Sequence, residues 1–508
     1  MAASTILIAG GRVYDHDGDT DKPATADVLI DGSRIARVAP GLRATPEGRA
    51  ARVVEAKGKL VVPGFINAHY HSHDVLLKGC FEPTPAEIWF LQGLPPSYPK
   101  RSKEEVRART LLGAAECIRS GITTVQDLLT IAPYDPEHLD VVLDAYEEAG
   151  LRSVFALQVG DIGGLDRVPF WRELVPTKYH HLLAGSIDPG RSAEIGDLVA
   201  AEYGRLKDRS PRITWALGPT SPDLCSARLL ERVGELSRAH GLPIYTHLYE
   251  SRANAVAARR YFREHGGSQV AFLDSLGLLG PRTSLAHSVW LLPAEIRRLA
   301  ETGANVVLNA ASNMKAKCGV APIRDYVREG VAIALGCDNC SCTDAQNMFQ
   351  AMKLFCTLAA VSEPEPGPPT APDAIRHATV GGARTAGLEG ELGRIAPGMK
   401  ADLAILDLGG LAFVPLNSAA RQLVYGESGS SVRGVIVDGR IVMEDGRLTS
   451  IDEDELRRSV EVVMETLAKD HKVVLARNAQ FYPELLEAWR MCWREEVGIN
   501  RYIGPHMA

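Results

Sequence analysis

The chain has 508 residues, 45% of them hydrophobic and 23% charged, and its formal net charge is −7. Such a composition is typical of a globular protein and excludes a long disordered or fibrous chain, while the acidic balance argues against nucleic-acid binding. No apolar run reaches bilayer length, the first ten residues lack a signal-peptide pattern, and nine cysteines do not suggest a disulfide framework. We therefore expect a reduced, cytoplasmic protein that binds no membrane.

Short β-strands are predicted at the start of the chain, over residues 5–9, 28–30 and 35–38. From about residue 61, apolar runs alternate with amphipathic helices. The clearest helix is 104–120, where Ser102 can cap the first turn, Glu105 can complete a capping box and Gly121 ends the helix. Eight strands are predicted in this region: 61–66, 123–126, 153–157, 213–217, 244–247, 283–287, 305–308 and 331–335. Eight strand–helix units favour an α/β fold, a closed (β/α)8 barrel of the TIM type.

Strand patterns return after about residue 390, at 402–406 and in a hairpin over 435–448 that turns at Asp438-Gly439. The simplest arrangement is a small β-sandwich domain built from both chain ends. The predicted domains are 1–62 with 391–450 for the sandwich, 63–390 for the barrel and 451–508 for a C-terminal extension.

The extension is predicted to be helical to about residue 467 and is then rich in aromatic residues: Phe481, Tyr482, Trp489, Trp493 and Tyr502. These rings can pack on the barrel or on a second subunit, or they can help to close an active site. The long connection 160–190 is a lid candidate because it carries Phe170, Trp171, His180 and His181.

Histidines and a carboxylate follow four of the predicted barrel strands, where the reactive groups of such barrels lie. Alternate residues of a strand face the same way, so His69 and His71 can point at one metal. His247, His287 and Asp338 end three other strands. Three imidazoles and one carboxylate suit a cation such as zinc or iron(II), with one position left for water.

Several segments resemble the amidohydrolase superfamily. They are 63–71 (PGFINAHYH), 120–125 (SGITTV), 247–250 (HLYE), 286–287 (AH), 312–313 (SN), 335–338 (LGCD), 378–383 and 393–403. The resemblance spans roughly residues 3–450 and is strongest to the branch of cytosine, guanine and S-adenosylhomocysteine deaminases and s-triazine hydrolases. It implies one divalent metal per chain, Zn²⁺ or Fe²⁺, on His69, His71, His247 and Asp338. The segment 215–220 has no lysine to bridge a second metal.

The resemblance also implies a mechanism, in which a metal-bound hydroxide attacks an sp² carbon of an N-heterocycle. Asp338 would accept the water proton, Glu250 would shuttle a proton to the ring and the leaving group, and His287 would hydrogen-bond the oxygen. Deamination with release of ammonia is the leading hypothesis. Hydrolysis of a cyclic amide, displacement of an amine or halide, and an inactive scaffold are the alternatives. Glu250 could instead form an ion pair with Arg252 or Arg259, and His287 a core hydrogen bond.

The substrate pocket departs from this branch, because Thr220 and Asn309 stand where a histidine is common. Candidate substrate contacts are His73, Trp89, Trp290, Asn313 and Asn339. Lys315 and Lys317 could meet an anionic group but are more simply solvated, and Cys337, Cys340 and Cys342 are best interpreted as small apolar residues. The expected partner is a small heterocyclic substrate, and the resemblance implies a homodimer or larger homo-oligomer.

Overall fold

A computed structural model describes residues 5–165, 168–183 and 192–502. The strands of this part of the chain are β1 (Thr5–Val13), β2 (Thr25–Asp31), β3 (Arg34–Ala39), β4 (Arg52–Glu55), β5 (Lys59–Pro63), β6 (Phe65–His71), β7 (Ile122–Leu129), β8 (Arg152–Val159), β9 (Ile213–Pro219), β10 (Ile244–Leu248), β11 (Thr283–His287), β12 (Asn305–Leu308), β13 (Ala332–Leu335), β14 (Asp338–Asn339), β15 (Leu403–Asp407), β16 (Val432–Val437), β17 (Arg440–Glu444) and β18 (Arg447–Leu448).

The strands β6 to β13 pair in chain order as a parallel series, and β14 closes the series by pairing with β6. In that closing pair, Asp338 lies opposite Tyr70 and Asn339 lies opposite His71. The eighth strand thus reaches the first through a short segment just beyond β13. This architecture agrees with the predicted (β/α)8 barrel, and it brings the carboxyl ends of all eight strands to one rim.

One predicted strand, 61–66, is two strands in the structure. The chain leaves the terminal sheet at the end of β5 and enters the barrel at the start of β6, with Gly64 between them. The Gly64 N–H donates to the carbonyl of Asp402 at 2.9 Å. A Cβ atom at Gly64 would lie 2.2 Å from Oγ1 of Thr123, so only glycine fits this crossing. The apolar run is continuous across both strands because both are buried, which is why sequence alone merged them.

Helices cover the outside of the barrel and fill the connections between strands. The α-helices of the described residues are Pro46–Ala50, Ala86–Gly93, Lys103–Arg119, Pro136–Ala149, Trp171–Leu174, His180–Leu183, Ser192–Leu206, Ala227–His240, Arg252–Tyr261, Gln269–Ser275, Pro293–Thr302, Ala310–Lys315, Ile323–Glu329, Cys340–Thr343, Met348–Ser362, Ala371–Arg376, Gly382–Thr385, Ala419–Tyr425, Glu453–Ala479 and Tyr482–Arg494, and a 3-10 helix Ser72–Leu77 and a π-helix His377–Gly381 accompany them. Ser102 caps Lys103–Arg119 as predicted, by accepting the N–H of Glu105 at 3.2 Å. The Glu105 carboxylate does not complete a capping box, because it binds the Arg101 guanidinium at 2.7 and 2.8 Å.

The two chain ends share one mixed sheet of hydrogen-bonded strands, in the order β18-β17-β16-β15-β5-β1-β2-β3, with β4 also on β1. A sandwich of two separate sheets was predicted. The strands instead form a single series, because β5 pairs with β1 on one side and with β15 on the other.

The hairpin β16–β17 turns at Asp438-Gly439 as predicted, with φ of 53° and 74°. The domain limits stay a prediction.

The extension is more helical than its sequence suggested. The first helix, predicted to end near residue 467, runs to Ala479, and a second helix spans Tyr482–Arg494. Val463, Leu467 and Val474 pack together with Leu76 and other buried side chains beside the barrel. These three residues are spaced by four and by seven positions, so they lie on one face of the helix, and that buried face continues past residue 467. Packing of this face against the barrel therefore stabilises the polar stretch after residue 467 as a helix. No helix in the described ranges combines the length and hydropathy that a membrane crossing requires.

A buried ion pair joins the barrel to the terminal sheet. The guanidinium of Arg152, on β8, is 1% exposed; its Nε and Nη2 donate to Asp402 at 2.9 and 3.0 Å, and Nη2 donates to Asp438 at 2.8 Å. Both carboxylates belong to the C-terminal part of the sheet. Since removing one member of such a cluster leaves unpaired charge in a dry environment, this contact holds the two units together.

We expect Arg152→Met to lower the free energy of unfolding by about 3–5 kcal/mol, because Asp402 and Asp438 would lose their buried partner. Urea denaturation followed by tryptophan fluorescence measures the shift in midpoint. Arg107→Met is the matched control, since Arg107 pairs with Glu148 on the surface, where ion pairs contribute little. Equal midpoints for the two variants would contradict the role assigned to Arg152.

Candidate metal centre and active-site cavity

Four histidines and one aspartate meet at the carboxyl ends of the barrel strands. His69 and His71 end β6, His247 lies in β10, His287 ends β11 and Asp338 begins β14. Their donor atoms form two groups that share His69. One group adds His247 and His287, and the other adds His71 and Asp338. Within each group, all donor atoms lie within 4.8 Å of one another. The strand-end histidines and the aspartate singled out in the sequence therefore lie together.

The distances between these donor atoms suit a shared cation. Nε2 of His69 lies 3.2 Å from Nε2 of His71, and Oδ1 of Asp338 lies 3.4 and 3.3 Å from the same two atoms. Zinc–nitrogen bonds of about 2.0–2.1 Å in tetrahedral geometry place neighbouring ligands roughly 3.4 Å apart. The spacing of His69, His71 and Asp338 therefore fits a small divalent metal.

Backbone carbonyls fix the orientation of two rings. Nδ1–H of His71 donates to the carbonyl of Leu128 at 2.5 Å, and Nδ1–H of His247 donates to the carbonyl of Thr220 at 2.6 Å. Each ring therefore turns the lone pair of Nε2 toward the cluster. Ligand histidines in proteins are commonly held in this way, and such hydrogen bonds also make the metal-binding nitrogen more basic.

Protonation states differ among the histidines of the cluster. Burial lowers the pKa of His69 to about 4 and holds the pKa of His247 well below its ordinary value, whereas the contact with Asp338 outweighs burial and raises the pKa of His71. Burial opposes ionisation of Asp338, yet its contacts with His69 and His71 hold the pKa of the carboxyl well below the usual range. Two neutral imidazoles beside a carboxylate suit a divalent cation, and His71 has to lose its proton when the cation binds.

Four residues at this rim adopt positive φ angles although none is glycine: Tyr249 (46°), His287 (66°), Ser288 (49°) and Asp338 (72°). Such backbone is uncommon and costs free energy, so surrounding contacts must hold it in place. Around Asp338, Nε2 of Gln346 donates to its carbonyl at 2.9 Å, and Nδ2 of Asn67 donates to Gln346 Oε1 at 2.7 Å. The network links the strained strand end to β6.

The carboxylate of Asp338 has two further partners. The Ser312 hydroxyl donates to Oδ2 at 2.5 Å, and Nδ2 of Asn339 donates to Oδ1 at 3.2 Å. No role for Ser312, Gln346 or Asn67 was predicted from the sequence. Ser312 and Asn67 lie in family-like segments and could have been found there, whereas Gln346 carries no signal of its own.

Glu250 and His287 face the same cluster. Nε2 of His287 lies 3.9 Å from Oε2 of Glu250 and 3.8 Å from Oδ2 of Asp338. Burial raises the pKa of Glu250, which favours a carboxyl group that can carry a proton. The surface ion pair considered for Glu250 is absent from the described contacts, because Arg252 and Arg259 donate to main-chain carbonyls instead.

A cavity of about 620 Å³ opens above these groups. Its wall contains His71, His247, Glu250, His287 and Asp338, together with apolar side chains such as Phe90, Leu91 and Leu94. This size is typical of pockets for small organic ligands.

Three of the five predicted substrate contacts, His73, Trp89 and Asn339, line this cavity. Trp290 and Asn313 are not part of this wall, and their assignment as substrate contacts stays a prediction. The Trp290 indole N–H donates to the carbonyl of Cys318 at 2.7 Å, and the ring is buried. Asn313 Oδ1 accepts Nδ1–H of His287 at 2.8 Å, so Asn313 holds this histidine in place.

The lysines and cysteines near the site have ordinary roles. Lys315 pairs with Asp344, and neither Lys315 nor Lys317 lines the cavity. All nine cysteines are free thiols, as expected. Cys337 contacts the sulfur of Met348, and Cys342 lies on the cavity wall.

The predicted lid, 160–190, lies partly outside the described residues. Within the described part, Leu165, Val168 and His181 line the cavity. The rings of Trp171 and His180 pack at 4.9 Å, and the guanidinium of Arg260 lies over Phe170 at 3.8 Å. The segment therefore forms one wall, and its movement as a lid stays a prediction.

The extension both packs on the barrel and reaches the site. Trp493 contacts Trp290 at 6.0 Å, Trp489 at 5.7 Å and Tyr502 at 4.8 Å between ring centroids. Arg477 and Asn478, from the first helix of the extension, line the cavity. Neither residue was predicted from the sequence, since a polar helix end far along the chain carries no signal that it meets a barrel rim.

Comparison with known proteins agrees with this architecture. Residues 60–442 match the model of the amidohydrolase family. The chain is 34% identical over 456 residues to a 5′-deoxyadenosine deaminase of Methanothermobacter thermautotrophicus, covering 89% of this chain and 96% of that protein. It is 32% identical over 462 residues to a 5-methylthioadenosine/S-adenosylhomocysteine deaminase of Syntrophobacter fumaroxidans, covering 91% and 98%.

Solved structures give the same result. A zinc-bound adenosine deaminase from Xanthomonas campestris superposes with a TM-score of 0.77 at 26% identity, over 92% of this chain and 99% of that one. The zinc complex of atrazine chlorohydrolase from Arthrobacter aurescens superposes with a TM-score of 0.77 over 90% of this chain and 100% of that one, but its 23% identity establishes only the shared fold.

The chain belongs to the amidohydrolase family. The predicted family and the predicted enzyme class, a hydrolase acting on C–N bonds, are confirmed.

We expect His247→Ala to lower the affinity for a divalent metal at least about tenfold, because it removes a proposed ligand nitrogen whose ring the carbonyl of Thr220 holds in place beside His69. Metal content per chain after dialysis, measured by inductively coupled plasma mass spectrometry, checks this. His73→Ala is the matched control: this buried ring uses Nδ1 to accept the N–H of Thr130, at 3.2 Å, and belongs to neither donor group. Retention of metal by the His247 variant would contradict the proposed ligand set.

Proposed function

We propose that this protein is a zinc-dependent hydrolytic deaminase of adenine nucleosides, with one metal held by His69, His71, His247 and Asp338. The observation that carries the proposal is the donor cluster at the base of the 620 Å³ cavity, with Glu250 and His287 beside it. The names of the two relatives above 30% identity support the choice of an adenine nucleoside. Zinc is favoured by the nitrogen-rich donor set and by the zinc-bound adenosine deaminase of similar fold.

The metal, when bound, supplies Lewis-acid activation of a water molecule at neutral pH. Asp338 is placed to accept a proton from that water, because its carboxylate lies among the proposed ligands. The His287 ring, held by Asn313, presents Nε2 to the oxygen that adds to C6 of the purine. Glu250 carries a proton in its buried environment and delivers it to the adjacent ring nitrogen. Loss of the amine as ammonia then leaves a carbonyl at C6, so water and the amino nucleoside become the oxo nucleoside and ammonia.

The rest of the wall suits a planar ring with hydrogen-bond donors. Trp89 is held on the wall by its indole N–H, which donates to the Ser341 hydroxyl at 2.9 Å. Two buried oxygens on the wall, Oδ1 of Asn339 and Oε2 of Glu87, have no hydrogen-bond partner among the described residues. Since buried acceptors are normally satisfied, they are candidates to accept from the exocyclic amine or the ribose hydroxyls of a nucleoside.

Ammonia release tests the proposal directly. Metal-analysed protein is incubated with adenosine, 5′-deoxyadenosine, amino-pteridines, aminopyrimidines and triazines, with and without a chelator. We expect ammonia from the adenine nucleosides only, and loss of the activity with the chelator. Turnover without ammonia would favour cyclic-amide hydrolysis or another leaving group, and metal-free, inactive protein would favour the scaffold alternative.

We expect Glu250→Gln to lower kcat by about 10²–10⁴-fold, because the amide cannot carry the proton to the ring. Steady-state ammonia release measures kcat, and metal content measured in parallel should stay unchanged. Glu231→Gln, at an exposed helical position, is the control for loss of one carboxylate. Full activity of the Glu250 variant would exclude the assigned role.

A further inference from the structure

The segment that follows helix Tyr482–Arg494 contacts the chain just beyond two barrel strands. We call residues 495–502 the tail segment, in which Arg501 and Tyr502 are half-buried. Nε of Arg501 donates to the carbonyl of Val289 at 2.9 Å, and Nη2 donates to the carbonyl of Leu291 at 2.7 Å. One guanidinium thus binds two carbonyls of the segment that follows β11, and its planar fork fixes them relative to each other.

The same two residues of the tail segment bind the chain that follows β12. The carbonyl of Arg501 accepts the N–H of Val320 at 2.8 Å, and the Tyr502 hydroxyl donates to the carbonyl of Lys317. Gly319 has a φ of 105°, and a Cβ atom there would lie 2.8 Å from the carbonyl oxygen of Arg501. This close approach requires glycine, and it joins the tail segment to both strand ends.

Both of these segments carry residues of the proposed reaction. His287 ends β11, and Asn313, which accepts its Nδ1–H, lies in helix Ala310–Lys315 after β12. The sulfur of Cys318 lies 3.7 Å from Oε1 of Glu250. A shift of either segment would therefore move His287 relative to Glu250.

The backbone after β11 is strained and needs support. His287 and Ser288 adopt φ angles of 66° and 49°, which residues other than glycine seldom adopt in succession. The N–H of Val289 donates to the carbonyl of Tyr249 at 3.1 Å, and its carbonyl accepts from Arg501 at 2.9 Å. The strained turn is thus held by the neighbouring strand end through one peptide group and by the tail segment through the next.

We infer that Arg501 is a positioning residue, which holds His287 in place against Glu250 by binding the carbonyls of Val289 and Leu291. The inference rests on the proposed function, in which His287 hydrogen-bonds the attacking oxygen, and it adds a residue to that mechanism. Arg501 is not among the described residues that line the cavity, so it acts through His287 and not on the substrate.

Ammonia release by the full-length zinc enzyme measures the effect, with the adenine nucleoside that turns over fastest in the panel above. We expect Arg501→Met to lower kcat by about 10-fold to 100-fold, because a misplacement of about 1 Å can cost roughly a hundredfold in rate. KM and metal content should stay within about twofold of the wild-type values, since neither the cavity wall nor the donor cluster loses a group. Arg501→Lys, whose ammonium can reach one carbonyl, should show a smaller loss of kcat.

Arg259→Met is the matched control. The guanidinium of Arg259 donates to the carbonyls of Gly267 and Val497, at 3.4 and 3.5 Å. Val497 belongs to the tail segment, and neither acceptor lies in the segment after β11. This variant should therefore keep the kcat of the wild-type enzyme, and a loss equal to that of Arg501→Met would overturn the inference.

A double variant tests whether Arg501 acts through His287. In the His287→Ala background, Arg501→Met should change kcat by less than about twofold, because no ring remains to be positioned. An equal loss of kcat in both backgrounds would overturn the inference and show that Arg501 contributes only to folding.

Hydrogen exchange gives a readout that does not depend on turnover. We expect the amides of residues 288–291 to exchange at least about tenfold faster in Arg501→Met than in the wild-type protein or in Arg259→Met, because the turn loses one of its supports. Mass spectrometry of peptides that cover this segment measures the rates. Unchanged exchange would overturn the inference.

The outcomes separate this inference from the proposed function. Ammonia release with equal kcat in the wild-type enzyme and in Arg501→Met overturns the role of Arg501 while nucleoside deamination stands. If no adenine nucleoside loses ammonia, the proposed function fails, and the role of Arg501 in that reaction fails with it. A loss of kcat that requires His287 supports both.

Discussion

The site depends on one buried negative charge, the carboxylate of Asp338. An ionised carboxyl group taken out of water is costly unless other groups compensate it. His69 and His71 lie 3.4 and 3.3 Å from its Oδ1, and Ser312 donates to Oδ2. These contacts, together with a cation when one is bound, keep the carboxylate ionised. The remaining features of the rim, including the strained backbone at Asp338, serve to hold this charge among the histidines.

Closure of the barrel is what brings the groups together. Asn339 pairs with His71 across the seam between β14 and β6, so the aspartate and the histidine pair meet although more than 260 residues separate them. A parallel barrel sends every strand end to the same rim, which lets single residues from several strands converge on one point. The terminal sheet, joined to the barrel through Arg152, and the helices of the extension stabilise this frame from outside.

The donor cluster and the rest of the cavity wall come from different parts of the molecule. The donor cluster sits on rigid strand ends, and a fold by itself does not fix the reaction that such a cluster performs. The connecting segments and the extension supply Trp89, Leu165 and Arg477 to the wall of the cavity. These segments also pack against the barrel, since Leu165 and Phe481 belong to the same buried cluster as its strands.

Short-range patterns in the sequence determined the strand–helix alternation, the metal-ligand candidates at strand ends and the membership of the amidohydrolase family. These features are local, since a strand and the residue that follows it are encoded by neighbouring positions. Tertiary structure alone decided that the Trp290 ring is buried, that Asn313 holds His287, that β5 joins two groups of strands into one sheet, and that Arg477 reaches the cavity. Each of these depends on contacts between distant segments, and a side chain of given chemistry acquires its role only from the partners that folding places beside it.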